Sequence, residues 1–162
     1  MIITKILIAI DDSAVAEHAA AYGFDIARKF NAAVGLVNIV EPAIMPQVTT
    51  NVDPIMGFPV EGSGFEEMEL LDIQKNQSEN VVNQTIQKLA GDLQVTHFNQ
   101  FGSTADGIIT CSKDFNADLI VLGTHGRTGI DRFLMGSIAE HVVRHSEVPV
   151  LVVPFKEKVH SS

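Results

Sequence analysis

Lys5-Ile6-Leu7-Ile8-Ala9-Ile10 is an apolar run that stops abruptly at Asp11-Asp12-Ser13. An Ile- and Leu-rich run without polar alternation is typical of a strand buried on both faces of a parallel sheet. Beyond the aspartates, apolar residues recur every three to four positions, which predicts an amphipathic helix. Its inward face would comprise Val15, Ala19, Tyr22, Ile26 and Phe30. Ser13 or Asp12 should cap the start of this helix, because both side chains accept hydrogen bonds from free backbone amides.

Further along the chain, strands and helices continue to alternate. Asn31 should end the first helix in a left-handed turn, and Ala33–Val40 reads as a second buried strand. Three more strands are predicted at about 94–100, 118–123 and 148–154. A long helix is predicted at 65–90, with inward residues Met68, Leu71, Val82, Ile86 and Leu89.

Two shorter helices complete the pattern. Ser103 or Thr104 should cap a third helix. Its inward face would be Ile108, Cys111 or Ser112, and Phe115. A fourth helix carries Ile138, Ala139, Val142, Val143 and Ser146 at helical spacing. Five strands that alternate with four helices predict an α/β fold, with an open five-stranded parallel sheet and helices on both faces.

Length and composition fit a single domain over residues 1–162. A segment at about 42–64 contains four prolines and three glycines and keeps no hydrophobic period, so it is predicted to be a long loop or insertion. The single cysteine, Cys111, cannot form an internal disulfide and favours a cytoplasmic protein. Apolar stretches far shorter than about 18 residues predict that no segment spans a membrane, and the start of the chain does not resemble a secretory signal.

Charge argues against two classes of partner. A formal net charge of −9 and a pI near 5.0 disfavour general binding to nucleic acids or anionic membranes. The acidity is uneven, because residues 41–79 hold eight acidic residues and one lysine, whereas residues 123–145 hold three arginines and two acidic residues. An anionic ligand near the latter segment is therefore compatible with the overall charge.

Ligands of open α/β sheets bind outside the carboxyl ends of the strands, where the strand order reverses. The most informative segment at such an end is Gly123-Thr124-His125-Gly126-Arg127-Thr128-Gly129, which leads to Gly136-Ser137 at the start of a helix. Glycines allow the backbone to approach a ligand, and a helix start offers free amides to a phosphate. The spacing therefore predicts a phosphate site, in which Arg127 would pair with phosphate. Turn-forming glycines and solvated loop charges are the alternatives.

Two common phosphate motifs do not fit. A P-loop would require glycine at Val121 and lysine at Arg127. The dinucleotide fingerprint should follow the first strand, where Asp11-Asp12-Ser13 stands instead, so NAD and FAD are disfavoured.

The spacing Gly123-x-x-Gly126, nine residues, then Gly136-Ser137 resembles the ATP-binding motif of the universal stress protein family. The first strand with Asp11-Asp12-Ser13, and the last strand Pro149-Val150-Leu151-Val152-Val153, are also similar to that family. The resemblance implies an adenine nucleotide alpha hydrolase-like, Rossmann-like fold. It also implies an ATP-binding stress-response protein that acts as a sensor or switch.

The same resemblance assigns roles to individual residues. Asp11 would lie beside the adenosine, the Ile39 backbone would meet adenine, and Gly123 would contact ribose. The phosphates would be held by Gly126, Gly136, Ser137 and the Ile138 amide. A divalent ion such as Mg²⁺ would bridge the phosphates, and the family often dimerises by pairing last strands, here Val150–Val153. The sequence names no protein partner beyond a second copy.

Several alternatives remain open at the level of sequence. Asp11 could act as the nucleophile of a phosphotransfer enzyme or phosphatase, because such enzymes place a carboxylate after the first strand. An AMP or cyclic-AMP regulator would need the same adenosine contacts. His141 and His145 have the spacing of a two-histidine metal pair, or are partly exposed helix residues. No residue is placed as a catalytic base, so any ATP hydrolysis is expected to be slow.

Overall fold

A computed structural model describes residues 2–42, 64–124 and 135–155, with backbone only for 64–67. The strands are β1 (Lys5–Ala9), β2 (Ala33–Val40), β3 (Val95–Phe101), β4 (Leu119–Gly123) and β5 (Val150–Val153). The helices are α1 (Ala14–Phe30), α2 (Gly64–Thr85), α3 (Thr104–Phe115) and α4 (Ser137–His145), and a π-helical turn, Ile86–Ala90, continues α2. Apart from its two ends, the predicted insertion at 42–64 lies outside the described residues.

All strand pairs are parallel, in the order β3-β2-β1-β4-β5. Alternate residues of β1 face opposite sides of the sheet. Ile6 and Ile8 pack in a core with α1 and α2, whereas Leu7 packs in a second core with α3 and α4. The predicted open parallel sheet with helices on both faces is therefore confirmed. No helix in the described ranges is long and apolar enough to cross a membrane.

The predicted ends of α1 are confirmed. Ser13 occupies the N-cap position, and its side chain accepts a hydrogen bond from the Ala16 amide at 3.1 Å. Asn31 ends the helix in the left-handed conformation with φ 52°. That geometry suits Asn, whose short polar side chain tolerates positive φ.

The predicted inward face of α1 is partly wrong. Tyr22 and Phe30 are about half exposed, and the buried stripe is shifted to smaller residues. Its members are Ala16, Ala19, Ala20, Gly23, Phe24 and Ala27. A Cβ atom at Gly23 would lie 2.6 Å from Ile8 Cδ1, so the helix approaches the sheet too closely for large side chains there.

Met68 and Leu71 of α2 are exposed by 66% and 38%, so their predicted inward orientation is also wrong. Ser78 of the same helix bonds Asn38, which lies two residues before the end of β2. Met68 precedes Ser78 by about 15 Å of helix, whereas β2 continues only about 7 Å beyond Asn38. The first turns of α2 therefore extend past the edge of the sheet, where no strand can cover them.

Candidate functional site

A cavity of about 1060 Å³ opens at the carboxyl ends of β1, β2 and β4. The chain crosses from β1 to β2 on one side and later to β4 on the other, so this is the point where the strand order reverses. Six of the eight predicted site residues line the cavity: Asp11, Ile39, Gly123, Gly136, Ser137 and Ile138. Gly126 and Arg127 lie outside the described residues.

Asp11 emerges from the end of β1 and begins the turn into α1. Its Oδ1 atom accepts a hydrogen bond from the Ser13 amide at 2.8 Å. Since Ser13 in turn caps α1, the carboxylate is held at the cavity wall by the start of that helix. The position of Asp11 is therefore fixed by local backbone geometry.

The end of β2 supplies both a wall of the cavity and a helix cap. Glu41 Oε1 accepts hydrogen bonds from Thr104 Oγ1 at 2.7 Å and from the Thr104 amide at 3.2 Å. Ser103 occupies the N-cap position of α3, but its side chain makes no capping bond. The predicted cap at Ser103 or Thr104 is thus replaced by a carboxylate from another element, which sequence spacing cannot reveal.

Gly123 ends β4 beside the first turn of α1. A Cβ atom there would lie 2.6 Å from Val15 Cγ1 and 3.2 Å from the Val15 carbonyl oxygen. The glycine therefore has a packing role in addition to any contact with a ligand, because a side chain would push α1 away from the sheet.

The start of α4 supplies backbone donors to the cavity. The Gly136 amide donates to the Thr124 carbonyl at 2.7 Å, so it is already engaged. Within the described residues the N-cap position, Gly136, offers no side-chain cap, and the amides of Ser137, Ile138 and Ala139 have no carbonyl partner within α4. These three amides and the Ser137 hydroxyl lie at the positive end of the helix dipole, an arrangement that suits an anion.

A polar face of α2 forms the wall that sequence analysis missed. The buried Ser78 hydroxyl lies 2.6 Å from Asn38 Oδ1 and 3.1 Å from Asn99 Oδ1. Gln74 and Gln77 line the cavity from the same helix. A polar helix face looks solvated in sequence, and only the packing of α2 over β2 shows that these side chains are at the site.

The charged side chains described at the cavity are all acidic. Asp11, Asp12, Glu41 and Glu140 line it, and no lysine or arginine does so within residues 2–42, 64–124 and 135–155. In those same ranges no group of three His, Cys, Asp or Glu residues could hold a metal ion. A polyphosphate would therefore need amide donors and its own cation in this part of the site.

The two histidines considered as a metal pair lie on α4 away from the cavity. His141 Nε2 is 3.0 Å from Asp106 Oδ1 on α3, and the rings of His141 and His145 stack with centroids 4.2 Å apart. Both side chains are thus used in helix contacts.

Comparison with known proteins identifies close relatives. Residues 3–154 match the model of the universal stress protein family. Universal stress protein MJ0531 of Methanocaldococcus jannaschii is 35% identical over 156 residues, which cover 95% of this chain and 84% of that protein. The solved structure of hypothetical protein MJ0577 has a TM-score of 0.79 at 24% identity and covers 96% of this chain and 99% of its own.

Two further solved structures contain nucleotides. One is the universal stress protein from Archaeoglobus fulgidus in complex with dAMP, with a TM-score of 0.60 and 18% identity. The other is a universal stress protein in complex with cAMP, with a TM-score of 0.57 and 20% identity. Each covers 94% of this chain and 98% of its own. These likenesses establish the fold.

Proposed function

This chain belongs to the universal stress protein family, and on that basis we propose that it binds ATP in the cavity at the carboxyl ends of its strands. The protein would act as a nucleotide-dependent sensor or switch, with at most slow hydrolysis. Because ATP is abundant inside cells, we also propose a cytoplasmic location.

One observation carries the proposal: the cavity brings together residues that are far apart in the sequence and to which the family resemblance assigns contacts with one nucleotide. Asp11 and Ile39 stand at the ends of β1 and β2, and Gly123 stands at the end of β4. The start of α4 faces the same space. Nucleoside and phosphate contacts would therefore be made on different sides of one cavity.

Phosphates would bind at the start of α4. The amides of Ser137 and Ile138, which have no partner within α4, and the Ser137 hydroxyl are suitable donors, whereas the Gly136 amide is engaged with Thr124. Mg²⁺ would be held mainly by the phosphates and by water, because Mg²⁺ usually takes only one or two protein carboxylates in such sites. Asp11, Asp12, Glu41 and Glu140 are the described carboxylates that line the cavity.

Calorimetric titration with ATP, with and without Mg²⁺, tests the site. Ser137→Ala removes a hydroxyl donor to a charged phosphate, which should lower ATP affinity about tenfold while leaving adenosine affinity unchanged. Ser103→Ala is the matched control. Ser103 also stands at the start of a helix, at the N-cap of α3, but it does not line the cavity. Equal ATP affinity in Ser137→Ala and the unmodified protein would remove the phosphate assignment.

The two nucleotide-bound relatives favour a second candidate, a regulator that binds AMP or cyclic AMP. Its adenosine contacts would be the same, but the start of α4 would contribute less to the affinity because these ligands carry a single phosphate. Titration with ATP, AMP and cyclic AMP under identical conditions separates the candidates. Tighter binding of AMP or cyclic AMP than of Mg·ATP would replace the ATP proposal by this one.

Asp11 would position the nucleoside rather than attack phosphate. Its Oδ1 atom is already bonded to the Ser13 amide, which supports a positioning role. Asp11→Asn should therefore weaken ATP binding, and neither this variant nor the unmodified protein should form product rapidly. Rapid product formation in a single-turnover assay with ATP, lost in Asp11→Asn while binding persists, would instead establish a phosphotransfer enzyme.

We also propose that the protein forms a homodimer through β5. The Ile120 amide bonds the Pro149 carbonyl and the Thr124 amide bonds the Val153 carbonyl. Polar backbone groups of successive strand residues point to opposite sides, so those of Val150 and Val152 point toward the free edge. β3, at the other edge, instead exposes polar side chains such as Thr96 and His97.

Val152→Pro removes an outward amide without removing a bond to β4. Light scattering should then report a monomer, whereas Val152→Thr, which retains the amide, should remain a dimer. A monomeric unmodified protein, or a dimeric Val152→Pro variant with its fold intact, would contradict pairing through this edge.

A further inference from the structure

Asn38 interrupts the hydrogen-bond ladder between β1 and β2 at the edge of the cavity. The pairing of the two strands ends at Ala9 and Val37, and the Ile10 amide still donates to the Val37 carbonyl at 2.9 Å. In a parallel ladder, the next bond would run from the Ile39 amide to the Ile10 carbonyl. The structure instead has Nδ2 of the Asn38 side chain donating to that carbonyl at 2.8 Å.

The orientation of the Asn38 amide follows from its partners. A backbone carbonyl only accepts hydrogen bonds, so the Asn38 atom that contacts Ile10 must belong to the NH2 group. The Oδ1 atom lies 2.6 Å from the Ser78 hydroxyl, which donates to it. Because Asn38 is only 7% exposed, these buried partners hold its side chain in this position.

The consequence of the interruption falls on the backbone of Ile39. Polar backbone groups of successive strand residues point to opposite sides. Since the Val37 carbonyl points toward β1, the amide and carbonyl of Ile39, two residues later, point to the same side. β1 has ended at this level, and Ile39 lines the cavity that opens there. The Ile39 side chain packs against the core beneath α3 and α4, which fixes the direction of its backbone groups.

We propose that Asn38 is a positioning residue for the nucleotide. By occupying the Ile10 carbonyl, it keeps the Ile39 amide free to donate to an acceptor nitrogen of the adenine ring. A ladder that continued to Ile39 would use this amide internally, and a ligand would have to break that bond. A donor that is free before the ligand arrives lowers the cost of binding. This inference rests on the proposed function, in which adenine meets the Ile39 backbone.

Nuclear magnetic resonance of the unmodified, isotope-labelled protein tests the arrangement directly. Without nucleotide, the Ile39 amide should exchange with D2O faster than the Ile10 amide, which is bonded to Val37. Saturating Mg·ATP should slow the exchange of Ile39. A through-hydrogen-bond coupling between the Ile39 amide nitrogen and the Ile10 carbonyl carbon would overturn the proposal, because it would show that the ladder continues.

Asn38→Ala should let the Ile39 amide bond the Ile10 carbonyl. Exchange of that amide should then be slow without nucleotide, and ATP affinity should fall about three- to tenfold. Affinity for inorganic tripolyphosphate, which has no base, should not change. Asn99→Ala is the matched control and should leave both affinities unchanged. Asn99 pairs with Asn38 in register and lies 3.1 Å from the Ser78 hydroxyl, but it does not line the cavity.

The outcomes separate this inference from the function on which it rests. If the unmodified protein binds no adenine nucleotide, the proposed function fails and this inference fails with it. If ATP binds but Asn38→Ala leaves its affinity unchanged, or weakens tripolyphosphate binding equally, only the role of Asn38 fails. Should the variant not fold, the unmodified protein decides: equal exchange of the Ile39 amide with and without Mg·ATP would overturn the proposed contact.

Discussion

The side-chain amide of Asn38 donates a 2.8 Å hydrogen bond to the backbone carbonyl of Ile10. The Ile10 amide also donates to the Val37 carbonyl at 2.9 Å. Residues of β2 therefore form hydrogen bonds with both the backbone amide and the backbone carbonyl of Ile10. Asp11 follows directly and enters the cavity. The buried Ser78 hydroxyl on Asn38 Oδ1 extends this hydrogen-bonded network to α2.

Ser78→Ala should destabilise the protein by about 1–3 kcal/mol, because it leaves the buried Asn38 acceptor unpaired. Urea denaturation gives the free energy of unfolding. Ser112→Ala is the control, since Ser112 is similarly buried but its hydroxyl bonds the Ile109 carbonyl of its own helix. An equal loss in both variants would mean that the network linking α2 to β2 adds no more stability than a hydrogen bond within one helix.

Gly123→Ala should cost about 1–3 kcal/mol of stability through overpacking, since the new methyl group would lie 2.6 Å from Val15 Cγ1. Val15→Ala in the same chain removes that clash and should restore part of the loss, although the Val15 carbonyl oxygen remains 3.2 Å away. Thermal unfolding of the nucleotide-free single and double variants measures the coupling. Additive losses of stability would indicate that a side chain at position 123 has no steric contact with Val15.

Cys111 should resist thiol reagents in the folded protein. Burial, with a smaller effect of Asp114, raises the pKa of its thiol to about 11, and the residue has no exposed surface. At pH 8 the thiol therefore stays protonated and covered, so labelling should require unfolding. Absorbance with a disulfide reagent should be flat for folded protein and report one thiol in urea; fast labelling of folded protein would contradict this packing.

The strands were predictable because the central strands of a parallel sheet are buried on both faces and leave unbroken apolar runs, as in β1 and β2. The meeting of Asp11, Ile39 and Ser137 at one cavity followed from the rule that ligands bind at carboxyl strand ends. The family inferred from the glycine spacing is confirmed by the match over residues 3–154.

The sequence could not reveal contacts that depend on close packing or on distant partners. α1 approaches the sheet through Gly23 and alanines, which carry little apolar signal, so Tyr22 and Phe30 were wrongly placed inward. Gln74 and Ser78 look like solvated helix residues until α2 is seen to cover β2. Their placement at the site arises from tertiary packing, which periodicity does not encode.

Asp118 should contribute stability that is present at neutral pH and lost in acid. Its carboxylate Oδ2 accepts hydrogen bonds from the Thr4 amide and hydroxyl, both at 2.8 Å, and from the Lys5 amide at 3.0 Å. These bonds, those from Thr4 first, lower the pKa of Asp118 below its ordinary value of 3.8. They join the start of β4 to the start of β1.

A lowered pKa in the folded state means that the stabilisation is fully present above the unfolded pKa and is lost as pH falls through the folded one. Asp118→Asn should therefore be less stable than the unmodified protein at pH 7, and the difference should shrink below about pH 4. Urea midpoints at pH 7, 5 and 3 measure this. Glu147→Gln is the control, because Lys113 also lowers the pKa of Glu147 but that pair is exposed and should contribute little. A difference for Asp118→Asn that stays constant with pH would show that its carboxylate charge is not what ties β4 to β1.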